Sequence, residues 1–275
     1  MYRYEVQYMN NLEDILCRGK EEFNERTGIS TFRLPSTQII VDLEEEFPIL
    51  LSKKIYWKTT INEMLWMFQK CSNNVKDLGN HIWDSWADEN GSIGKTYGYQ
   101  VSQDVRTKEM NYPTQVHYVL DRLAKNPSDR QCVIDMWNPA DLVDMNLPPC
   151  VYSTIWSIID NKLNCMVVQR SSDYPVGVPF DTTEYAILTH MFARHLEVGV
   201  GRLTHVMGDS HIYENQLKGV QKHFEQYNKF DFNNAKKPKL VFKDNAPTNF
   251  WGLKADDIEV IDYEPADFIK FEVAK

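Results

Sequence analysis

Apolar residues first recur at helical spacing over residues 5–24, where Val6, Met9, Leu12, Ile15, Leu16 and Phe23 fall near one stripe. Arg26-Thr27-Gly28 then reads as a turn, and residues 32–43 read as a strand whose apolar part is Ile39-Ile40-Val41. Helical spacing returns over 60–70 through Ile61, Met64, Leu65 and Phe68. From 72 to about 101 the pattern dissolves into a loop-rich stretch that holds Trp83, Trp86 and the turn signal Glu89-Asn90-Gly91. A helix over 114–125 follows, with Thr114 as N-cap and Val116, Val119, Leu120 and Leu123 inward. Cys132-Val133-Ile134 predicts a buried strand that Asn138-Pro139 closes.

In the second half, residues 151–159 and 163–169 flank Asp160-Asn161-Lys162, a hairpin signal. A helix is predicted over 181–197 with Gly199 as its C′ residue, then a short strand over 203–207 and a helix over 212–224. Residues 239–242 and 259–263 read as strands. Helices and strands mix without strict alternation, and no repeat or long linker interrupts them. The expectation is one α+β domain over residues 1–275 with a mostly buried sheet.

Composition narrows the function. The chain has 275 residues, 43% of them hydrophobic, which supports a sizeable core. A net charge of −9 gives general nucleic-acid binding no electrostatic support, so an anionic substrate would need a local cluster of Arg and Lys. The five cysteines at 17, 71, 132, 150 and 165 lie far apart, with neither a CxxC nor a short disulfide pattern. No apolar h-region follows the start, and no apolar run approaches a membrane span. These features predict a reduced, cytoplasmic protein with no resident metal and no membrane partner.

Cys150 follows Leu147-Pro148-Pro149, and two prolines stiffen the approach to a strand and fix where the thiol points. Arg170, one hairpin strand later, is within reach to lower the thiol's pKa. Taken alone, Cys150 also fits a buried structural cysteine. The wider set changes that. Gln169-Arg170-Ser171-Ser172-Asp173, Gly177-Val178-Pro179-Phe180 and Gly208-Asp209-Ser210-His211-Ile212-Tyr213 follow in order, and Arg26-Thr27-Gly28, Ile82-Trp83-Asp84 with Trp86, and Tyr97-Gly98 precede it. This series resembles the thymidylate synthase family over almost the whole chain.

The resemblance implies a curved mixed sheet surrounded by helices, and a homodimer packed sheet to sheet. It implies 5,10-methylenetetrahydrofolate as co-substrate and a pyrimidine deoxynucleoside monophosphate as substrate. Cys150 would add to C6 of the base, making C5 the nucleophile that takes the one-carbon unit. Arg170, Ser171 and Arg26 would hold the phosphate, helped by Arg130 from the partner subunit; Gln131 stands where a second shared arginine is usual. His211 and Tyr213 would hold the sugar hydroxyl, Glu63 would relay protons, and Asp173, Trp83, Gly177 and the tail at Ala274 would serve the folate. Thr60-Ile61-Asn62-Glu63 also fits a capping box, and Arg130 also fits an ordinary surface charge. Val151 follows the nucleophile where many members have His, and the chain ends in Lys rather than an apolar residue.

The departure that matters most is Asp181, where members acting on dUMP carry Asn. An Asn amide matches the O4 acceptor and N3–H donor of uracil. Cytosine reverses that pattern, and a protonated Asp can accept from N4 and donate to N3. Burial raises a carboxyl pKa, so protonation suits a closed pocket. Asp181 therefore predicts dCMP over dUMP and resembles the dCMP hydroxymethylase branch. The alternative is that Asp181 caps the following helix, with Glu184 in its first turn. After carbon transfer, water would give a hydroxymethyl product, the predicted outcome, and hydride would give methyl. Conversion of dUMP to dTMP and non-catalytic binding of a nucleotide or RNA are the rival functions.

Overall fold

The computed structural model describes residues 2–25, 27–106 and 110–272. Helix α1 (Arg3–Arg18) ends earlier than its stripe suggests. A Cβ at Gly19 would lie 2.2 Å from the Ile15 carbonyl oxygen, so the chain leaves the helix there and enters strand β1 (Lys20–Asn24). Phe23 therefore sits exposed on a strand rather than in the helix stripe. Strand β2 (Ile29–Asp42) follows. Helix α2 (Trp57–Met64) runs on into a π-helical turn, Leu65–Gln69. It starts before Thr60, whose hydroxyl donates to the Trp57 carbonyl at 2.6 Å. Glu63 thus lies near the C-terminal end of α2, and the capping-box reading fails.

Next come α3 (Gly98–Val101), a short ribbon of β3 (Val105–Arg106) and β4 (Asn111–Tyr112), and α4 (Gln115–Lys125). Thr114 caps α4 as predicted, its side chain accepting from the His117 N–H. Strand β5 (Val133–Asp135) is buried on one side only, with Ile134 inside and Val133 exposed. The hairpin of β6 (Val151–Ile159) and β7 (Lys162–Gln169) turns at Asp160 and Asn161, both in the left-handed region at φ 51° and 57°.

After β8 (Ser172–Asp173), helix α5 (Gly177–Leu196) begins four residues ahead of the prediction, and Glu197, not Gly199, takes the left-handed closing conformation at φ 55°. Gly199 instead opens β9 (Gly199–Tyr213). That strand is far longer than 203–207 because it is hydrogen-bonded along both edges, to β2 on one side and to β7 and β8 on the other. It absorbs Ile212 and Tyr213, so α6 (Leu217–Lys229) starts later than predicted. A ribbon of β10 (Lys239–Phe242) and β11 (Ile258–Ile261) ends the regular structure.

The main sheet runs β1-β2-β9-β7-β6-β5, with β8 beside β9; β9 is parallel to β7 and β8, and the other pairs are antiparallel. The expected mixed α+β sheet in one domain is present. Helix α5 covers the inner face and is buried nearly all round, the mark of a central helix. Trp156 of β6 meets Phe192 of α5 at 4.8 Å between ring centres, and Phe68 meets Tyr185 edge-on at 6.0 Å. On the outer face Val133, Ile155, Met166 and Ile40 remain exposed, and strand register aligns them in one row through Thr204. Among the described residues, no helix is long and apolar enough to cross a membrane.

Candidate active site

Cys150 lies at the start of β6, with its backbone N–H donating to the Tyr97 hydroxyl at 3.0 Å and its carbonyl accepting from the Arg170 N–H at 2.9 Å. The Arg170 guanidinium returns to the same corner. Its Nε donates to the Pro149 carbonyl at 3.0 Å and its Nη2 to the Pro148 carbonyl at 2.9 Å. The two prolines thus fix the thiol and also supply carbonyls that hold the arginine. Burial pushes the Cys150 thiol up, and the nearby Arg170 charge opposes this without overcoming it. The sequence led us to expect a lowered thiol pKa; in this chain alone the balance runs the other way, because the thiol is buried and Asp181 and Asp173 add negative charge.

Three carboxyls stand on the inner side of the pocket, Glu63 and Glu184 buried and Asp181 half-buried. Glu63 of α2 accepts from the Trp83 indole Nε1 at 2.7 Å. Asp181 lies in the second turn of α5, too far in to cap it, and accepts from Gln169 Nε2 at 2.8 Å. Glu184 follows three residues later and hydrogen-bonds with Glu63. Burial, with the charges of Glu63 and Asp173 behind it, pushes Asp181 up to about 7. Gln169 cannot turn over: its Nε2 also donates to the Ser171 carbonyl at 3.1 Å, and its Oε1 meets His205 Nε2 at 2.6 Å. His205 therefore carries its proton on Nε2, and Asp181 Oδ2 is held as an acceptor. A proton on Asp181 belongs on Oδ1.

A cleft of about 470 Å³ opens on the other side, lined by Arg170, Ser171, Arg33, Asp209, His211 and Tyr213. Strand register brings His211 opposite both Asp173 and Arg33. The His211 and Tyr213 rings meet edge-on at 5.0 Å. His211 Nδ1 donates to the Asp209 carbonyl at 2.8 Å, which leaves Nε2 as the ring nitrogen available to a hydroxyl. Arg33 grips the Asp209 carboxylate with two arms, at 3.0 and 2.6 Å, and reaches Glu22 at 2.8 Å.

The wall beyond Cys150 is aromatic. Trp83 is buried and sits 5.2 Å from Tyr97, 5.3 Å from Trp86 and 6.1 Å from Trp66, ring centre to ring centre. Asp173 accepts both oxygens' worth of contact from Gln216 Nε2, at 3.1 and 3.0 Å, and burial pushes it up to about 6. Gln216 also donates to the Glu272 carbonyl at 3.2 Å, tying the tail to this corner. Gly177 starts α5 beside it, and a Cβ there would come within 3.4 Å of Asp181 Oδ2.

The structure thus brings together Cys150, Arg170, Ser171, Asp173, Asp181, Glu63, Trp83, Gly177, His211 and Tyr213. Arg130 does not join them in its own chain: it is exposed just ahead of β5. Arg26 and Ala274 lie outside the described residues. Sequence reasoning missed Arg33, Gln169, His205 and the role of Glu184. The signal for Glu184 was an acid set among apolar positions of one helix, three residues after another acid.

Fold and pocket define an α+β transferase site built on a thiol, a guanidinium and buried carboxyls. The family model described as "Thymidylate synthase" matches residues 6–275. A thymidylate synthase of Clostridium beijerinckii is 39% identical over 277 residues, covering 100% of both chains, and one of Bacillus phage phi3T is 35% identical over 287 residues, again covering 100% of both. The solved structure of thermostable thymidylate synthase A from Bacillus subtilis superposes with a TM-score of 0.91 at 35% identity, covering 99% of each chain. The chain belongs to the thymidylate synthase family. Its members are dimeric, folate-dependent C5 methyltransferases of pyrimidine nucleotides, with 5,10-methylenetetrahydrofolate as co-substrate.

Proposed function

We propose that this chain transfers a one-carbon unit to C5 of a pyrimidine deoxynucleoside monophosphate and that the base it reads is cytosine. The observation that carries the reading is Asp181: half-buried, held by Gln169, freed from any capping role, and pushed up to about 7 by its surroundings. Near neutral pH it offers cytosine one acceptor and one donor, and in its ionised form it still accepts from N4. Uracil meets an ionised Asp181 with O4 unpaired, and a buried unpaired polar group is what makes such sites selective.

In this reading Arg170 and Ser171 hold the phosphate, with Arg26 and the partner's copy of Arg130 as further cations. His211 and Tyr213 hold the sugar hydroxyl. A dianion beside Arg170 still leaves that guanidinium tied to the Pro148 and Pro149 carbonyls, close to the thiol. Cys150, as thiolate, would form the Sγ–C6 bond, C5 would bond to the carbon unit and lose its own proton as the folate nitrogen leaves, and hydride or water added to that carbon would then let Sγ leave C6. Glu63, oriented by Trp83, moves protons to and from the base. Methylenetetrahydrofolate supplies the carbon unit. Trp83, Asp173, Gly177 and the tail at Ala274 would hold it.

The closing step separates two products. A hydroxymethyl product rests on the resemblance at Asp181, whereas the names of the relatives favour methyl. Those names also favour the second reading, conversion of dUMP to dTMP. Purified protein offered dCMP and dUMP separately, with methylenetetrahydrofolate, tests all of this by product mass. Turnover of dCMP with little of dUMP is expected; turnover of dUMP alone overturns the cytosine reading.

A further inference from the structure

Glu63 and Glu184 are both buried and hydrogen-bonded to each other, and two carboxylates cannot make such a bond without a proton between them. Their other partners decide which one holds it. Glu63 already accepts from the Trp83 indole at 2.7 Å, and an indole N–H can only donate. Among the described residues no N–H group donates to Glu184, which packs inside α5 against α2. The proton therefore stays with Glu184.

We propose that Glu184 is a positioning residue: it holds its proton, donates it to Glu63, and so keeps Glu63 an anion beside the nucleotide pocket. This rests on the reading of Glu63 as the proton relay. It divides the three carboxyls into one fixed donor, one fixed anion, and Asp181, which the negative charge of Glu63 helps to keep protonated. Among the described residues, the titratable groups that act on Glu184 are Glu63 from α2 and Asp181 from its own helix, with Tyr185 beside it in the chain. No cation is among them, so nothing else draws the proton off. Burial and the two neighbouring carboxyls act in the same direction, raising Glu184 well above the usual carboxyl range.

The test compares Glu184→Gln with Glu184→Leu and Glu184→Ala, using whichever nucleotide the wild type turns over, across a pH series. Glutamine keeps an N–H donor for Glu63, so its acid limb should overlay that of the wild type. The apolar variants leave Glu63 with one donor fewer, and their acid limb should move up by about one pH unit, roughly a tenfold loss of turnover below it. Two apolar variants guard against one failing to fold, and melting curves identify a variant that does. An acid limb that stays put in a folded apolar variant overturns the proposal, as does a glutamine variant that shifts like the apolar ones. A wild type that uses only dUMP would overturn the cytosine reading and leave this comparison intact.

Discussion

The two faces of one sheet break the rule of apolar inside and polar outside in opposite ways. On the inner side, between β7, α2 and α5, Glu63 and Glu184 lie buried beside the half-buried Asp181, and among the described residues no cation pairs with them. On the outer face Val133, Ile155, Met166 and Ile40 stand in an exposed row. Each exception costs folding free energy unless something offsets it. Gln169 and Trp83 donate to two of the carboxyls, and a second subunit, which the family's dimeric state implies, would offset the row. On the proposed function the polar exception marks chemistry and the apolar one assembly, and Arg130 of the partner subunit would link the two.

The largest expected effect breaks the inner side. Cys150→Ser should lower turnover by about a thousandfold or more while calorimetry still detects nucleotide binding, because the oxygen is a poor nucleophile for C6. Retained turnover would remove Cys150 from the reaction. Next comes the base. Asp181→Asn restores a fixed amide pattern, so the ratio of dCMP to dUMP turnover should fall by about a hundredfold. An unchanged ratio would mean that another group reads the base edge.

The outer face gives a smaller, concentration-dependent effect. Met166→Asp puts a charge in the middle of the apolar row, and twofold symmetry would bury it twice. Sedimentation should report a dimer weakened by about a hundredfold, roughly 3 kcal/mol. Turnover at low protein concentration should fall with it if Arg130 of the partner subunit completes the phosphate site. Dissociation without loss of turnover would confine each site to one chain.

Local chemistry made part of this legible in the sequence. Thr114 capped its helix, and Asp160-Asn161 turned its hairpin, because both depend on neighbouring residues alone. The misreadings share one cause. β9 outran its prediction because it is hydrogen-bonded on both edges, and α5 began early because Gly177 to Phe180 had no apolar period of their own to announce a helix. That shift overturned the cap reading of Asp181, and the early start of α2 did the same for Glu63. The family pattern supplied Cys150, Arg170 and Asp173 as chemistry, but not the bonds that govern them. Arg33 was missed because its partner Asp209 is near it only across the sheet.

The smallest effect reads the inner side through stability. Asp181 is pushed up to about 7 in the fold, whereas an unfolded chain gives it an ordinary carboxyl pKa near about 4. The folded state therefore holds this proton more tightly. Its contribution is full below about pH 4 and is lost progressively as the pH rises to about 7, since over that window only the unfolded chain releases the proton. Asp173, raised to about 6, slopes the same way but is present in both proteins compared. Asp181→Asn has no proton to lose. Any packing or hydrogen-bond change at Gln169 adds a constant offset, so the pH dependence carries the test. The melting temperature of the variant, relative to wild type, should rise by a few degrees between about pH 4 and pH 7 and then level off, at roughly 2 °C for each kcal/mol. A difference that stays flat across that window would mean that Asp181 is already ionised in the fold, and that the pocket meets the base with a carboxylate rather than an acid.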